Sequence, residues 1–210
     1  LKSAKENKDL KKTDGKKKNR ITGIPKLDDA NWAGTRKSKD TTLILTEGDS
    51  AKAMAIAGLG VVGRDKFGVF PLRGKLLNVK GDDSNMIKKI LENDEINNLK
   101  KIIGLQTDRT YDTKNGLRYG KICIFTDQDE DGSHIKGLVM NLIHTLWPSL
   151  FKQKDFINTI LTPIVKAIKK SNTLSFYCVK DYESWREANN NGKGWKIKYY
   201  KGLGTSTPTE

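Results

Sequence analysis

An apolar run, Ile122-Cys123-Ile124-Phe125, enters a polar stretch, Thr126 to His134. The chain leaves that stretch through Ile135, Leu138, Val139, Leu142, Ile143, Leu146 and Trp147, which recur at helical spacing. The first pattern predicts a buried strand, and the second predicts an amphipathic helix stopped by Pro148. A buried strand feeding directly into a long helix restricts the chain to α/β architectures. Upstream, the β-type run Thr41 to Thr46 leads into Glu47-Gly48-Asp49-Ser50 and then Ala51, Met54, Ala55 and Gly58. Small residues at that spacing suit a helix lying close on a sheet, with Asp49 or Ser50 as its N-cap.

Further elements follow the same alternation. Gly68 to Leu72 reads as a short strand, and Ser84 to Asn93 and Asp94 to Ile103 as two helices, the second capped by Asp94. Asp108 to Arg118 is a polar loop with a turn at Gly116. Beyond Phe156 the pattern changes. Ile160 to Val165 and Leu174 to Val179 flank a turn at Lys170-Ser171-Asn172 and predict two antiparallel strands, followed by a helix at Tyr182 to Ala188 and a strand at Trp195 to Tyr200. The expected organisation is a Lys-rich mobile lead over 1–20, a linker over 21–40, an α/β core over 41–150 with a mostly parallel sheet flanked by helices, and a small α+β extension over 151–210.

Gly58-Leu59-Gly60-Val61-Val62-Gly63 matches the dinucleotide fingerprint in its letters. That fingerprint works only between a strand and the start of a helix, where helix-end N–H groups face a pyrophosphate. Here it follows the expected helix, so it reads as a loop and no cofactor site is assigned.

The chemistry concentrates in the acids. In a strand, residues i and i+2 emerge on one side, about 6.5–7 Å apart, so Asp127 and Asp129 share one side at the end of the Lys121–Thr126 strand. If the Leu43–Thr46 strand is its neighbour, Glu47 emerges at the same edge, where open α/β sheets hold their ligands. Like charges about 4 Å apart repel by ~1 kcal/mol in water and ~4 kcal/mol at an effective dielectric near 20. Several such pairs call for a cation or a raised pKa. Oxygen-only donors suit Mg²⁺. A calcium loop would need a Glu at the twelfth position from Asp127, which is Leu138. Helix capping accounts for Asp131 or Ser133 and leaves Asp127 and Asp129 unexplained. Two histidines, His134 and His144, ten residues apart, do not make a zinc site.

The net charge of +14 favours a polyanionic partner, nucleic acid or an anionic membrane surface, with nucleic acid ahead of a merely solubilising Lys-rich surface. No apolar run approaches the ~20 residues needed to cross a bilayer. Cys123 and Cys178 lie in separate strand-like runs and read as buried, reduced thiols of an intracellular protein. Arg73-Gly74-Lys75 could bring backbone close to a phosphate, or be an ordinary basic turn. The first and last residues read as those of a piece of a longer protein.

Together, Glu47-Gly48-Asp49-Ser50-Ala51 and Asp127-x-Asp129-x-Asp131-Gly132 resemble the signature of the TOPRIM family of topoisomerases, primases and nucleases. Pro71 to Val79, Thr126 to Gly137 and Tyr199 to Thr205 narrow the resemblance to type IIA DNA topoisomerases, and Ala57 to Asp65 to their eukaryotic branch. The resemblance covers about residues 19 to 210 and implies a TOPRIM, Rossmann-like fold. It implies Glu47, Asp127 and Asp129 as catalytic metal ligands with Asp131 auxiliary, and Arg73, Lys75 and Asn78 as DNA contacts. The implied ion is Mg²⁺, with Mn²⁺ or Ca²⁺ as substitutes in binding; ATP belongs to another part of the parent protein. The implied partner is double-stranded DNA, cut and resealed by a nuclear homodimer whose nucleophilic tyrosine lies outside this chain. The alternatives are a TOPRIM primase or nuclease, or a non-catalytic basic DNA-binding module.

Overall fold

Strands buried on both faces read as continuous apolar runs, and three such runs form the centre of the molecule. The computed structural model describes residues 4–80 and 84–203. In chain order its elements are α1 (Ala4–Lys11), β1 (Thr42–Glu47), α2 (Gly48–Val62), β2 (Phe67–Leu72), α3 (Ser84–Glu92), α4 (Asp94–Ile103), β3 (Lys121–Phe125), α5 (Glu130–Leu146) and α6 (Pro148–Phe151). There follow β4 (Ile157–Thr159), β5 (Val165–Lys169), β6 (Asn172–Phe176), α7 (Val179–Ala188) and β7 (Lys196–Tyr199). One sheet has the order β2-β1-β3-β4 and is parallel throughout; the other is antiparallel, in the order β6-β5-β7. This is the α/β architecture with an α+β extension that the sequence predicts.

The period of two along each strand sorts side chains onto two faces. Leu43, Leu45, Phe70, Leu72, Ile122 and Ile124 face one way and pack with α3, α4 and α5 in the larger core, which includes Ile96, Ile102, Leu138 and Trp147. Ile44, Val69 and Phe125 face the other way, against Ala51, Ala55 and Leu59 of α2. The alanines let α2 lie close on the sheet.

The strand order sets the location of any ligand. The chain passes from β1 to β2 on one side, then returns to place β3 on the other side of β1. The carboxyl ends of β1 and β3 therefore flank the point where the winding reverses. Open sheets hold ligands in the crevice at such a point.

Several local expectations are corrected. Gly58 to Val62 is helix rather than loop, and Gly63, at φ 87°, terminates α2 with its N–H on the Leu59 carbonyl. The N-cap of α2 is Glu47, without a side-chain cap bond, and not Asp49 or Ser50. Asn93, not Asp94, caps α4 by accepting from the Ile96 N–H. Pro148 does not simply stop a helix: α5 ends at Leu146 and the proline opens α6. The expected strand Ile160–Val165 does not form: β4 ends at Thr159 and β5 begins at Val165, so residues 160–164, including Pro163, lie between strands. The second strand is displaced too, because the hairpin pairs Val165 with Phe176 and Lys169 with Asn172. Cys178 is exposed at the start of α7, and only Cys123 is partly buried.

The described part of the Lys-rich lead carries α1 and packs on the larger core. Leu10 of α1 is buried in the larger core. Lys100 of α4 is 2% exposed and donates to the Leu10 carbonyl at 2.9 Å, Thr13 Oγ1 at 2.8 Å and Thr107 Oγ1 at 3.0 Å, while pairing with Asp14 at 2.9 Å. Buried Arg118 acts likewise. It donates to the carbonyls of Lys18 and Ile102 and to Asp29, whose other oxygen accepts from the Tyr119 hydroxyl. Two buried cations thus bind the stretch from Leu10 to Asp29 to α4 and to the loop before β3. In sequence, neither differs from the rest of the 39 Lys and Arg residues.

Lys100→Met leaves Asp14 and two backbone-linked hydroxyls without their cation, and should cost about 3–5 kcal/mol in urea denaturation, the usual price of breaking a buried pair. Burial pushes the Cys123 thiol up to about 11. Iodoacetamide at about pH 8 should therefore modify Cys178 in the folded chain and reach Cys123 only on unfolding, as read by peptide mass spectrometry.

Candidate metal centre

The register of the parallel sheet brings the acids together. Thr46 of β1 lies opposite Phe125 of β3, so Glu47 and Asp127 leave adjoining strands at the same edge. Gly48 then turns the chain into α2 at φ 72°, a conformation that favours glycine. After β3, the buried Thr126 and the close approach of Gly132 fold the acidic loop tightly. A Cβ on Gly132 would stand 2.1 Å from the Asp127 carbonyl oxygen. Asp129 Oδ1 accepts from the Gly132 N–H at 2.7 Å and is the N-cap of α5. This corrects the sequence expectation that capping leaves Asp129 unexplained.

Burial and the neighbouring acids perturb Glu47. Its pKa lies above the ordinary glutamate range, first because of burial and then because of the charges of Asp129, Asp127 and Asp131; a hydrogen bond from the Asp127 backbone N–H opposes the rise. Its Oε2 is buried and has no hydrogen-bond partner among the described residues. An orphaned buried carboxylate oxygen beside three further carboxylates suits a cation bound through oxygen.

The other three acids each have a protein partner. Asp127 Oδ1 accepts from the Leu203 N–H at 2.6 Å, Asp129 caps α5, and Asp131 pairs with Lys75 at 3.1 Å. Among the described residues, no three acidic, histidine or cysteine groups are drawn close enough to enclose an ion. The two observations concern different ranges: the charges lie near enough to repel Glu47, while the individual oxygens are turned to other donors. A cleft of about 180 Å³ beside Glu47 and Asp127 is lined by Ser50, Ala51, Met54, Gly202 and Leu203.

The expected DNA contacts lie on the segment after β2. Leu72, Leu76 and Val79 are buried, while Arg73, Lys75 and Asn78 are exposed. The buried residues anchor a ledge whose polar side chains stand clear of the core. Lys75 reaches the acidic loop through Asp131, and Asn78 accepts from Asn141 of α5 at 2.9 Å. The Arg73 backbone N–H bonds to Glu95, whose pKa is raised mainly by burial.

Gly202 and Leu203 are the residues that pattern reasoning passed over at this site. Their motif is visible in sequence as a glycine-rich turn, but nothing in its spacing points to Asp127, 76 positions away. Gly204 and Thr205 of the same motif lie outside the described residues.

The model of the Toprim domain family matches residues 42–159, and that of the C-terminal associated domain of TOPRIM matches residues 160–210. The chain is 58% identical over 203 residues to DNA topoisomerase 2-alpha of Rattus norvegicus and 57% identical over 208 residues to DNA topoisomerase 2 of Pisum sativum. These alignments cover 95% and 98% of this chain but only 13% and 14% of the relatives' lengths. Among solved structures, the topoisomerase II DNA-binding, cleavage and re-ligation domain of Plasmodium falciparum matches with a TM-score of 0.84 and 57% identity, over 91% of this chain and 26% of that one.

Glu47 also gives the centre a pH signature. Its folded pKa exceeds its unfolded value, so between the two the folded chain holds the proton more tightly. Stability then falls as pH rises through that window. In EDTA, urea denaturation should show the parent losing stability relative to Glu47→Gln as pH climbs above ~4.3, the ordinary glutamate value. A constant difference across the acid range contradicts this electrostatic account.

Proposed function

Because the chain belongs to the Toprim family, we propose that it is the cation-binding part of the DNA-cleaving core of a eukaryotic type II DNA topoisomerase. The observation that carries this reading is the meeting of Glu47 and the Asp127–Asp131 loop at the reversal point of a parallel sheet, beside the basic ledge Arg73–Asn78. Glu47, Asp127 and Asp129 would hold Mg²⁺, with Asp131 as an auxiliary donor. When bound, the ion supplies positive charge to the scissile phosphate and the leaving 3′-oxygen.

The chain's own residues have distinct roles in this proposal. Glu47 would be a cation ligand when ionised and a proton donor to the 3′-oxygen only when protonated, because a bound cation lowers the pKa that burial and the neighbouring acids raise. Arg73, Lys75 and Asn78 hold phosphates of the duplex on either side of the cut. A phosphate that draws Lys75 away from Asp131 also releases that carboxylate toward the cation. The tyrosine nucleophile and the ATPase site belong to other parts of the parent enzyme, which acts as a homodimer on nuclear DNA.

Isothermal titration should show Mg²⁺ or Mn²⁺ binding that Asp127→Ala abolishes; unchanged affinity in that variant removes the metal assignment. Binding to duplex DNA should be largely independent of sequence and fall ~10³-fold between about 50 and about 200 mM salt. Lys75→Ala should reduce the slope of that salt dependence by about one phosphate contact. Self-contained nicking of DNA by this chain points instead to a Toprim nuclease.

A further inference from the structure

The hydrogen bond between Leu203 and Asp127 connects the antiparallel sheet to the acidic edge. Strand β7 pairs with β5 as far as Tyr199, opposite Val165, and the Tyr200 N–H continues onto the Ile164 carbonyl at 2.8 Å. Three residues later Leu203 is buried against Ile44, Ala51, Ala55 and Leu59, between α2 and the parallel sheet. The strap Lys201-Gly202-Leu203 is therefore held at both ends. Between them the Leu203 N–H donates to Asp127 Oδ1 at 2.6 Å, a charge-assisted bond.

Gly202 is equally constrained on its side toward the acid. A Cβ there would lie 3.1 Å from Asp127 Oδ2 and 3.2 Å from Oδ1. Gly202 is not among the glycines with positive φ, so its backbone accepts alanine and only the carboxylate has to move. Asp127 in turn donates its backbone N–H to Glu47, whose Oε2 is the orphaned oxygen. The order of contact runs from strap to Asp127 to Glu47.

We propose that the Lys201–Leu203 strap is a positioning element for the cation: it fixes the Asp127 carboxylate through one oxygen, so that cation affinity depends on the antiparallel sheet being seated. The inference rests on the metal reading above and adds to it residues that act on the cation through Asp127. Groups that orient metal ligands from outside affect affinity by about 10- to 100-fold, and the strap belongs to that class.

Gly202→Ala tests it. Mn²⁺ binding, followed by the loss of the free-ion electron paramagnetic resonance signal, should weaken ~10-fold or more, while the melting temperature in EDTA stays that of the parent. Equal Mn²⁺ affinity in parent and variant overturns the proposal and leaves the metal reading intact. A parent chain that fails to bind Mn²⁺ sinks both. If Gly202→Ala lowers the melting temperature, amide exchange decides: the Leu203 amide should be protected in the parent and exchange faster in Asp127→Ala. Unchanged Leu203 exchange in Asp127→Ala overturns the proposal by itself.

Discussion

Mutual repulsion among carboxylates at the ends of two adjoining strands is the constraint around which the rest of this molecule is arranged. Parallel pairing of β1 with β3 delivers Glu47 and Asp127 to one edge whatever their side chains prefer. The backbone then distributes the surplus negative charge. One acid caps α5, one takes an N–H from the strap, one meets Lys75, and the fourth is left with a raised pKa and an orphaned oxygen. The cost of assembling the acids is thus spread over four elements. A cation would offset what remains.

This arrangement also explains why the site sits at the reversal of strand order. Only there do two strands diverge in connection while remaining neighbours in space, leaving a crevice that neither crossover covers. Helix α2 covers one face with alanines, and α3, α4 and α5 cover the other with larger side chains. The sheet edge is consequently stiff on both sides, a requirement for holding ligand oxygens in fixed positions.

Period and composition made the sheet and its helices legible. Ile122 to Phe125 and the Ile135 to Trp147 stripe needed no partner to be recognised, and both appear as expected. The fingerprint-like glycines, expected in a loop, fall inside α2 because a helix tolerates glycine when its other residues are apolar. What stayed hidden was tertiary. Nothing local distinguishes Lys100 or Arg118 from solvated cations, because their burial depends on carbonyls about 90 to 100 positions away. Capping by Asp129 was missed for a different reason: the acidic loop offers several acids, and only the fold decides which one faces the free N–H groups.

The clasp of Arg118 on the Lys18 carbonyl has a consequence for where this unit begins. The recurring family pattern starts at residue 42, but the guanidinium already depends on groups at Lys18, Asn19 and Asp29. A boundary drawn by recurrence among relatives and one drawn by cooperative folding are therefore different here. Trimming to the shared core would strand a charge in its interior, so the smallest autonomous piece extends well upstream of what inheritance alone marks out.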